Sequence, residues 1–217
     1  MAWCRDLINR KDSLRLREHA PDELAHYAKR ATDIEYLVPG IGWKEWEGIH
    51  WRGDWDLSRH SQYSGQNLQY TDPVSNERYT PWIVETSGGV DRTFFYLLVD
   101  AYDEEIVNNE TRTVLHLDKR IAPYKVAVLP LSRKPELSAV ARPIWRTLAA
   151  HFSTDYDETQ AIGRRYRRQD EIGTPFCVTV DFQSLEDQQV TIRERDSMTQ
   201  RRVPIADLLP ILREDLA

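Results

Sequence analysis

The sequence predicts a two-domain protein of the α/β (α+β) class, on three observations. The chain has 217 residues, enough for two domains of roughly 100 residues each. Hydrophobic residues make up 41% and charged residues 29%, a balance typical of soluble globular proteins. After Asn108-Asn109-Glu110, polar segments give way to near-continuous apolar runs. We therefore expect one domain over residues 1–118 and a second over residues 122–217.

The first domain opens with a predicted helix and a strand. Pro21, followed by Asp22 and Glu23, favours the start of a helix that runs to about Thr32, because proline and acidic residues suit a first turn. The further elements are a short strand over 33–38, a helix or strand over 43–52, mostly loop over 52–78, a strand over 79–85, a tight turn over 86–89 and a helix over 90–103.

In the second domain, apolar runs alternate with helical patterns. Residues 125–131 (KVAVLPL) and 176–181 (FCVTVD) are typical of buried parallel strands. The other predicted elements are helices over 135–152 and 157–170, a hairpin-like pair of strands over 190–194 and 199–203, and a final helix from Pro204 to near Glu214. This order predicts a mixed sheet.

Several classes of protein are excluded by composition. No apolar run approaches the ~20 residues that cross a bilayer, and the N-terminus lacks the pattern of a signal peptide. Cys4 and Cys177 are the only cysteines, too few for a disulfide framework. We expect a cytoplasmic protein with no membrane partner.

The formal net charge is −6, but it is unevenly distributed. Residues 1–120 carry 15 Lys+Arg against 21 Asp+Glu, whereas residues 121–217 carry 14 of each. Four arginines lie almost together in the second part, at positions 164, 165, 167 and 168. Such a cluster is either a phosphate-binding face or a solvated helix face.

Six segments, in order, carry a family resemblance. Three lie in the first domain, at residues 17–39, 42–65 and 81–102, and three in the second, at residues 125–131, 161–181 and 190–200. Together they resemble the C-terminal part of glycyl-tRNA synthetases: the end of a class II catalytic domain, with its antiparallel sheet and motif 3 at about residues 81–102, followed by a mixed-sheet α/β anticodon-binding domain.

The resemblance implies a glycine site. By analogy, glycine would be bound by residues of two segments, namely Glu47, Arg52, Glu85, Thr86, Ser87, Gly88 and Gly89. A carboxylate such as Glu85 suits the glycine ammonium. From the residues alone, an alternative interpretation is that Glu85 is an acidic residue that stabilises the start of the helix that follows.

It also implies an ATP site, with ATP and Mg²⁺ as cofactors. The residues concerned would be Glu45, Trp46, Gly89, Val90, Asp91 and Arg92. An arginine at Arg92 could reach the triphosphate or stack on adenine, or form an ion pair with Asp91 or an acidic residue of the loop. We expect no protein-bound metal site: the histidines at positions 19, 26, 50 and 60 lack zinc-ligand spacing and are interpreted as packing or surface residues.

In the second domain the resemblance implies tRNA anticodon recognition. The candidate residues are Arg164, Arg165 and Arg168 for phosphates and Arg193, Glu194, Arg195 and Asp196 for base edges. A surface ion-pair network is the alternative reading of these residues.

The implied activity is that of a glycine–tRNA ligase, which activates glycine with ATP to glycyl-adenylate and transfers it to tRNA-Gly. The expected partners are tRNA-Gly, glycine and ATP, with a homodimer in the full-length family. Motifs 1 and 2 of class II synthetases are not visible in this sequence, so we expect this polypeptide alone not to aminoacylate tRNA. The alternative is a non-catalytic tRNA-anticodon-binding module derived from a synthetase.

Overall fold

A computed structural model describes all 217 residues and divides them into two compact units. The first unit consists of Met1–Asp6 and Arg10–Val99, and the second of Leu7–Asn9 and Asp100–Ala217. The division at residues 99/100 lies earlier than the boundary expected at residues 118–122. The difference arises because a hairpin over residues 102–115 packs with the second unit, through contacts described below.

The first unit is built on a four-stranded antiparallel sheet with strand order β1-β2-β3-β6. Its strands are β1 (Leu14–Glu18), β2 (Arg30–Val38), β3 (Gly42–Gly53) and β6 (Ile83–Gly88). The remaining elements are helices α1 (Ala2–Leu7), α2 (Trp55–Ser64) and α3 (Val90–Ala101), a 3₁₀ turn (Lys11–Ser13), and the two-residue strands β4 (Tyr70–Thr71) and β5 (Arg78–Tyr79).

Aromatic side chains fill the core beneath this sheet. Tyr36, Trp46 and Tyr96 are buried, and their ring centroids lie 5.2–5.9 Å apart. The indole Nε1 of Trp46 donates to Thr93 Oγ1 at 2.9 Å, which satisfies its polar atom inside the core. Strand β3 and helix α3 are thereby fixed against each other, which determines where the residues before α3 lie.

Three expectations for this unit were wrong. Residues 20–28 form successive turns instead of a helix, closed by Glu23 N–H to the Ala20 carbonyl and Ala28 N–H to the Ala25 carbonyl. The segment expected to be loop contains α2, which Gly65 ends in a left-handed conformation (φ 71°). The turn expected over 86–89 is largely strand, because β6 continues to Gly88 in register with β3.

The second unit contains a five-stranded mixed sheet, which confirms the expected class. The strand order is β10-β9-β11-β12-β13, parallel among the first three strands and antiparallel beyond. The elements are β7 (Tyr102–Val107), β8 (Glu110–Leu115), β9 (Val126–Pro130), α4 (Pro135–Ala149), β10 (Thr154–Tyr156), α5 (Ile162–Glu171), β11 (Phe176–Val180), α6 (Ser184–Asp187), β12 (Gln189–Glu194), β13 (Gln200–Pro204), a 3₁₀ turn (Ile205–Asp207) and α7 (Leu208–Leu216). The hairpin β7–β8, β10 and α6 were not expected, and α5 begins five residues later than expected.

Strands β9 and β11 are buried along their whole length, as expected from their apolar runs. Helix α4 packs on one face of the sheet through Leu137, Ile144 and Leu148, and α5 lies on the other face through Ile162 and Tyr166. Cys177, in the middle of β11, is a free thiol whose pKa is raised to about 12 by burial.

A buried ion cluster joins the β7–β8 hairpin to the sheet. Asp170 of α5 accepts hydrogen bonds from Arg112 Nε of β8 at 2.9 Å and from Arg193 of β12 at 2.8 and 3.1 Å. Asp170 and Arg112 are fully buried, and Arg193 is nearly so. Glu105 pairs with Arg112 at 2.5 Å, so two carboxylates face two guanidinium groups. The cluster holds three elements that are far apart in sequence.

A second ion cluster lies at the opposite end of β11. Arg202 of β13 bonds to both oxygens of Asp181 and to both oxygens of Asp187, at 2.8–3.2 Å. These hydrogen bonds hold the pKa of both carboxyl groups below their usual range. Arg202 thus joins the last strand to the residues that connect β11 to β12.

No helix in this structure combines the length and the apolar character required to cross a bilayer.

Replacing Asp170 by Asn should destabilise the second unit by about 3–5 kcal/mol, because the buried charges of Arg112 and Arg193 lose their shared partner. Hydrogen exchange of the β11 and β12 amides in the full chain would measure this. The control is Glu186→Gln, at an exposed position of α6, for which we expect a change within about 0.5 kcal/mol. Equal protection in both variants would contradict the prediction.

Acid should weaken the second unit through Arg202. Because the folded-state pKa values of Asp181 and Asp187 are depressed, their contribution is complete above the unfolded value of about 3.9 and is lost as pH falls through the folded values. In Arg202→Met the amides of β12 and β13 should exchange faster above pH ~4, and the difference from the parent should shrink below it. Parallel pH curves for the two proteins would disprove this.

Candidate functional site

The register of the first sheet gathers several of the predicted residues on one face. Glu85 of β6 lies directly opposite His50 of β3, and Ser87 lies opposite Gly48. Across the other side of β3, Asp33 of β2 lies opposite Gly48. Because directly opposed residues in an antiparallel pair share a face, these five residues form one surface, called here the polar face.

Arg52 sits at one end of the polar face and connects it to helix α2. Its Nη1 donates to Glu85 at 2.7 Å, while Nε and Nη2 donate to the two oxygens of Asp56, each at 2.7 Å. Its guanidinium also lies 4.1 Å from the ring centroid of Tyr27. Hydrogen bonding from Arg52 lowers the pKa of Asp56. Arg52 is therefore fixed in position and in turn orients Glu85.

Two histidines that the sequence analysis interpreted as packing or surface residues lie at this site. His50 Nδ1 is buried, makes no hydrogen bond and lies 3.7 Å from Glu85 Oε2. His19 Nε2 is 2.7 Å from Asp33 Oδ2. A Cβ on Gly48 would lie 2.9 Å from His50 Cε1, so glycine at this position leaves room for the imidazole. The position of His50 depends on strand register, which the isolated sequence pattern does not supply.

Not all predicted glycine-site residues share the polar face. Glu47 lies opposite Gly88, and alternation along the strands directs Glu47 and Thr86 to the other side of the sheet from Glu85. Glu47 Oε2 accepts a hydrogen bond from Trp3 Nε1 at 3.2 Å. The structure thus groups Glu85, Ser87 and Arg52 and does not bring Glu47 to them.

The residues predicted to bind ATP lie around the start of α3. Arg92 Nη1 donates to the Glu45 carbonyl at 3.1 Å and lies 3.4 Å from the Glu45 carboxylate, so its ionic partner is Glu45 and not Asp91. Both side chains are about half exposed. Trp46 is buried in the core described above, leaving only its backbone near this site. The other three, Gly89, Val90 and Asp91, are exposed.

In the second unit, three of the seven predicted anticodon residues are buried. Arg165 donates to the carbonyls of Pro130, Leu131 and Asp157. Arg193 is held by Asp170, as described above, and Arg195 donates to the Gly173 carbonyl and to both oxygens of Asp196. These arginines support the fold, and RNA contacts by their guanidinium groups stay a prediction that would require this packing to open.

The other four have exposed surface. Arg164 is exposed, and Arg168 is half-buried against Asp157 and Thr159. Glu194 and Asp196 lie at the end of β12 and just beyond it, with Asp196 Oδ1 2.6 Å from His116 Nδ1. Arg168 and Asp196 already have charged partners. For these two residues the geometry therefore agrees with the alternative interpretation, a surface ion-pair network.

One group of side chains offers metal-ligand atoms. Asp103, Glu105 and His116 each place one such atom within 4.8 Å of the others. His116 is already bonded on both nitrogens, to Asp196 and to Glu105, and Glu105 also pairs with Arg112. These existing partners account for the arrangement without a cation.

Comparison with known proteins gives one family and a consistent set of relatives. Residues 125–215 match the family described as "Anticodon binding domain". The chain is 52% identical over 216 residues to "Glycine--tRNA ligase" of Geobacillus kaustophilus (strain HTA426), and 51% identical over 217 residues to the protein of the same name of Staphylococcus haemolyticus (strain JCSC1435). A third such protein, of Staphylococcus epidermidis (strain ATCC 12228 / FDA PCI 1200), is 52% identical over 214 residues.

These matches cover 98–99% of the chain but only 46% of each relative, so the chain spans about half the length of the curated proteins it matches. The aligned region is their C-terminal part. The similarity extends over both units and thus includes the polar face as well as the anticodon binding domain. Over nearly its whole length the chain is thus similar to the C-terminal part of proteins named "Glycine--tRNA ligase", and residues 125–215 match the anticodon binding domain family.

Proposed function

We propose that this chain supplies the glycine-binding and anticodon-binding parts of a glycine–tRNA ligase, which joins glycine to tRNA-Gly through glycyl-adenylate at the expense of ATP. The observation that carries the proposal is the grouping of Glu85, Ser87 and Arg52 on the polar face. The relatives are named for the same activity, which supports the proposal.

Glycine recognition follows from the polar face. The Glu85 carboxylate accepts hydrogen bonds from the substrate ammonium, and Arg52 keeps that carboxylate in place. The Ser87 hydroxyl lies two residues along the same strand and face and offers a further polar contact. His50 packs over Gly48 on the same face, 3.7 Å from Glu85, and in this proposal it limits the room beside the bound glycine.

The nucleotide lies at the other end of β3 in this proposal. Arg92 is half exposed at the first turn of α3 and can turn from Glu45 toward a triphosphate. Carboxylate oxygens are the donors that Mg²⁺ prefers, and the half-exposed Glu45 fits that ion. When bound, Mg²⁺ neutralises charge that develops on the triphosphate.

In the anticodon binding domain, the exposed Arg164 and the partly exposed Arg168 and Glu194 are the side chains proposed to contact tRNA. A homodimer, expected from the family resemblance, and a cytoplasmic location, expected from the composition, remain part of the proposal.

The second candidate is a tRNA-binding module without catalysis. The match of the anticodon binding family to residues 125–215 favours it, because this unit has its own core and sheet. It predicts tRNA binding without glycine binding, so the next two experiments separate the candidates.

Glycine binding should depend on Glu85. Replacing it by Gln removes a charge-assisted contact, worth about 1.5–3 kcal/mol, and should weaken glycine binding roughly tenfold or more. Calorimetric titration of the full chain with glycine, and with alanine for selectivity, measures this. Glu77→Gln, an exposed change in the β4–β5 hairpin, is the matched control. Equal glycine affinity in parent and Glu85→Gln protein would exclude Glu85 from the site.

Discrimination between anticodons should reside in the second unit. Arg164→Ala should weaken binding of all tRNAs and reduce the salt dependence by about one phosphate contact, whereas Glu194→Ala should reduce discrimination by about 1–3 kcal/mol. The assay titrates tRNA-Gly against a tRNA with another anticodon. Arg146→Ala, exposed on α4 at the opposite face of the sheet, is the control. If the parent chain bound both tRNAs equally, the anticodon assignment would fail.

A further inference from the structure

One atom of the polar face, Nδ1 of His50, is buried without a hydrogen-bond partner in the protein. The nearest carboxylate oxygen, Glu85 Oε2, lies 3.7 Å away, which is beyond hydrogen-bond distance. The rest of the imidazole is not sealed, since 22% of the side chain is exposed. Buried polar atoms in folded proteins are nearly always paired, so an exception beside a proposed ligand site indicates a role in binding.

The residues around His50 hold its ring in this position. Glycine at position 48 makes room for it, because a Cβ there would lie 2.9 Å from His50 Cε1. The ring of His19 packs against it edge-on, with 6.4 Å between the two centroids. His19 is itself held by Asp33, whose Oδ2 lies 2.7 Å from Nε2. The imidazole of His50 is therefore fixed on two sides, with Nδ1 near Glu85.

Carboxylates outnumber guanidinium groups around this ring. Four elements contribute the charges nearest to the two imidazoles, namely Asp33 of β2, Arg52 of β3, Asp56 of α2 and Glu85 of β6. The residue directly opposite His50 on β2 is Ala31, which has no charge. While both imidazoles are neutral, three negative charges face one positive charge, which favours a cationic ligand group.

We propose that His50 Nδ1 is a second acceptor for the ammonium group of glycine, beside the Glu85 carboxylate. This rests on the proposed function, in which Glu85 binds the ammonium. Two acceptors 3.7 Å apart can both lie about 2.8 Å from one nitrogen. One N–H of the ammonium donates to Glu85 and one to His50, and the Ser87 hydroxyl, on the same face, can accept the third. His50 then carries its proton on Nε2, which leaves the lone pair on Nδ1.

A second proton on His50 would oppose glycine binding. Nδ1 would become a donor and would pair with Glu85, the carboxylate that the ammonium requires. Imidazole side chains gain this proton between about pH 8 and pH 5, whereas free glycine keeps both of its charges over that interval. Glycine affinity should therefore decrease as the pH falls through it.

Calorimetric titration of the full chain with glycine at pH ~7.5 and pH ~5.5 tests this role. The parent should bind glycine about fivefold or more weakly at the lower pH. His50→Leu keeps a side chain of similar size but removes the acceptor, and at the higher pH it should bind glycine roughly tenfold more weakly. His50→Asn places an amide oxygen where Nδ1 lies and does not titrate. It should restore most of the affinity and abolish the difference between the two pH values.

The matched control is His151→Asn, which changes an exposed histidine of the second unit and should behave as the parent. Parent-like affinity in His50→Leu, or the parent's pH dependence retained in His50→Asn, would overturn the proposal. Circular dichroism identifies a variant that fails to fold. If His50→Leu does not fold, the pH dependence of the parent and of His50→Asn still decides.

Glu85→Gln separates this role from the proposed function. If that variant loses glycine while His50→Leu retains it, the glycine site stands and only the assignment of His50 fails. If the parent binds no glycine at either pH, both proposals fail.

Discussion

The hydrogen bonds to Asp170 are the constraint on which the second unit depends. One fully buried carboxylate receives guanidinium groups from β8 and β12 while standing on α5. Removing any partner would leave an unpaired charge in the interior, which is more costly than the pair itself is stabilising. The hairpin β7–β8 is therefore an integral part of this unit and not a connector. The same cluster explains why Arg193, next to the strand end proposed to read bases, has little freedom to move.

The first unit divides its sheet between two tasks. One face carries the aromatic core around Trp46, and the other carries the acids, the serine and the histidines of the polar face. Arg52 plays the same role in this unit as Asp170 in the second, because it binds two residues of opposite charge, Glu85 and Asp56, at once. The difference lies in exposure: Glu85 remains accessible on one side, whereas Asp170 is sealed, so only the first arrangement can receive a ligand.

Local patterns in the sequence were sufficient where burial and periodicity agree. Strands β9 and β11 and helix α3 were predicted closely because their apolar residues are continuous or recur at helical spacing. The helix expected from Pro21 failed because the same residues also favour turns, and β2 pairs with two neighbouring strands. Helix α2 was missed because it has no buried residue. The helix is held in place by the hydrogen bond from Arg52 to Asp56 and by the ring contact of Trp55 with His26, and Gly65 ends it.

The sequence predicted which residue types the candidate sites contain. It did not predict which of these residues lie together, because that depends on how the strands pair. Glu85, Ser87 and Arg52 come together, but alternation sends Glu47 to the other face and places His50 beside Glu85. Three of the arginines expected to bind RNA are buried. Local sequence does not show this, because the partners that bury them include residues distant in the chain: Arg193 and Asp170 are 23 residues apart.

Cys177 gives the second unit an internal reporter of its own integrity. It lies on β11, which pairs with β9 and β12, and its side chain packs with Ile162 and Tyr166 of α5; burial disfavours the thiolate, the reactive form of the side chain. Alkylating reagents would therefore reach this sulfur only when α5 moves off the sheet. The rate of its modification would report how often this packing opens.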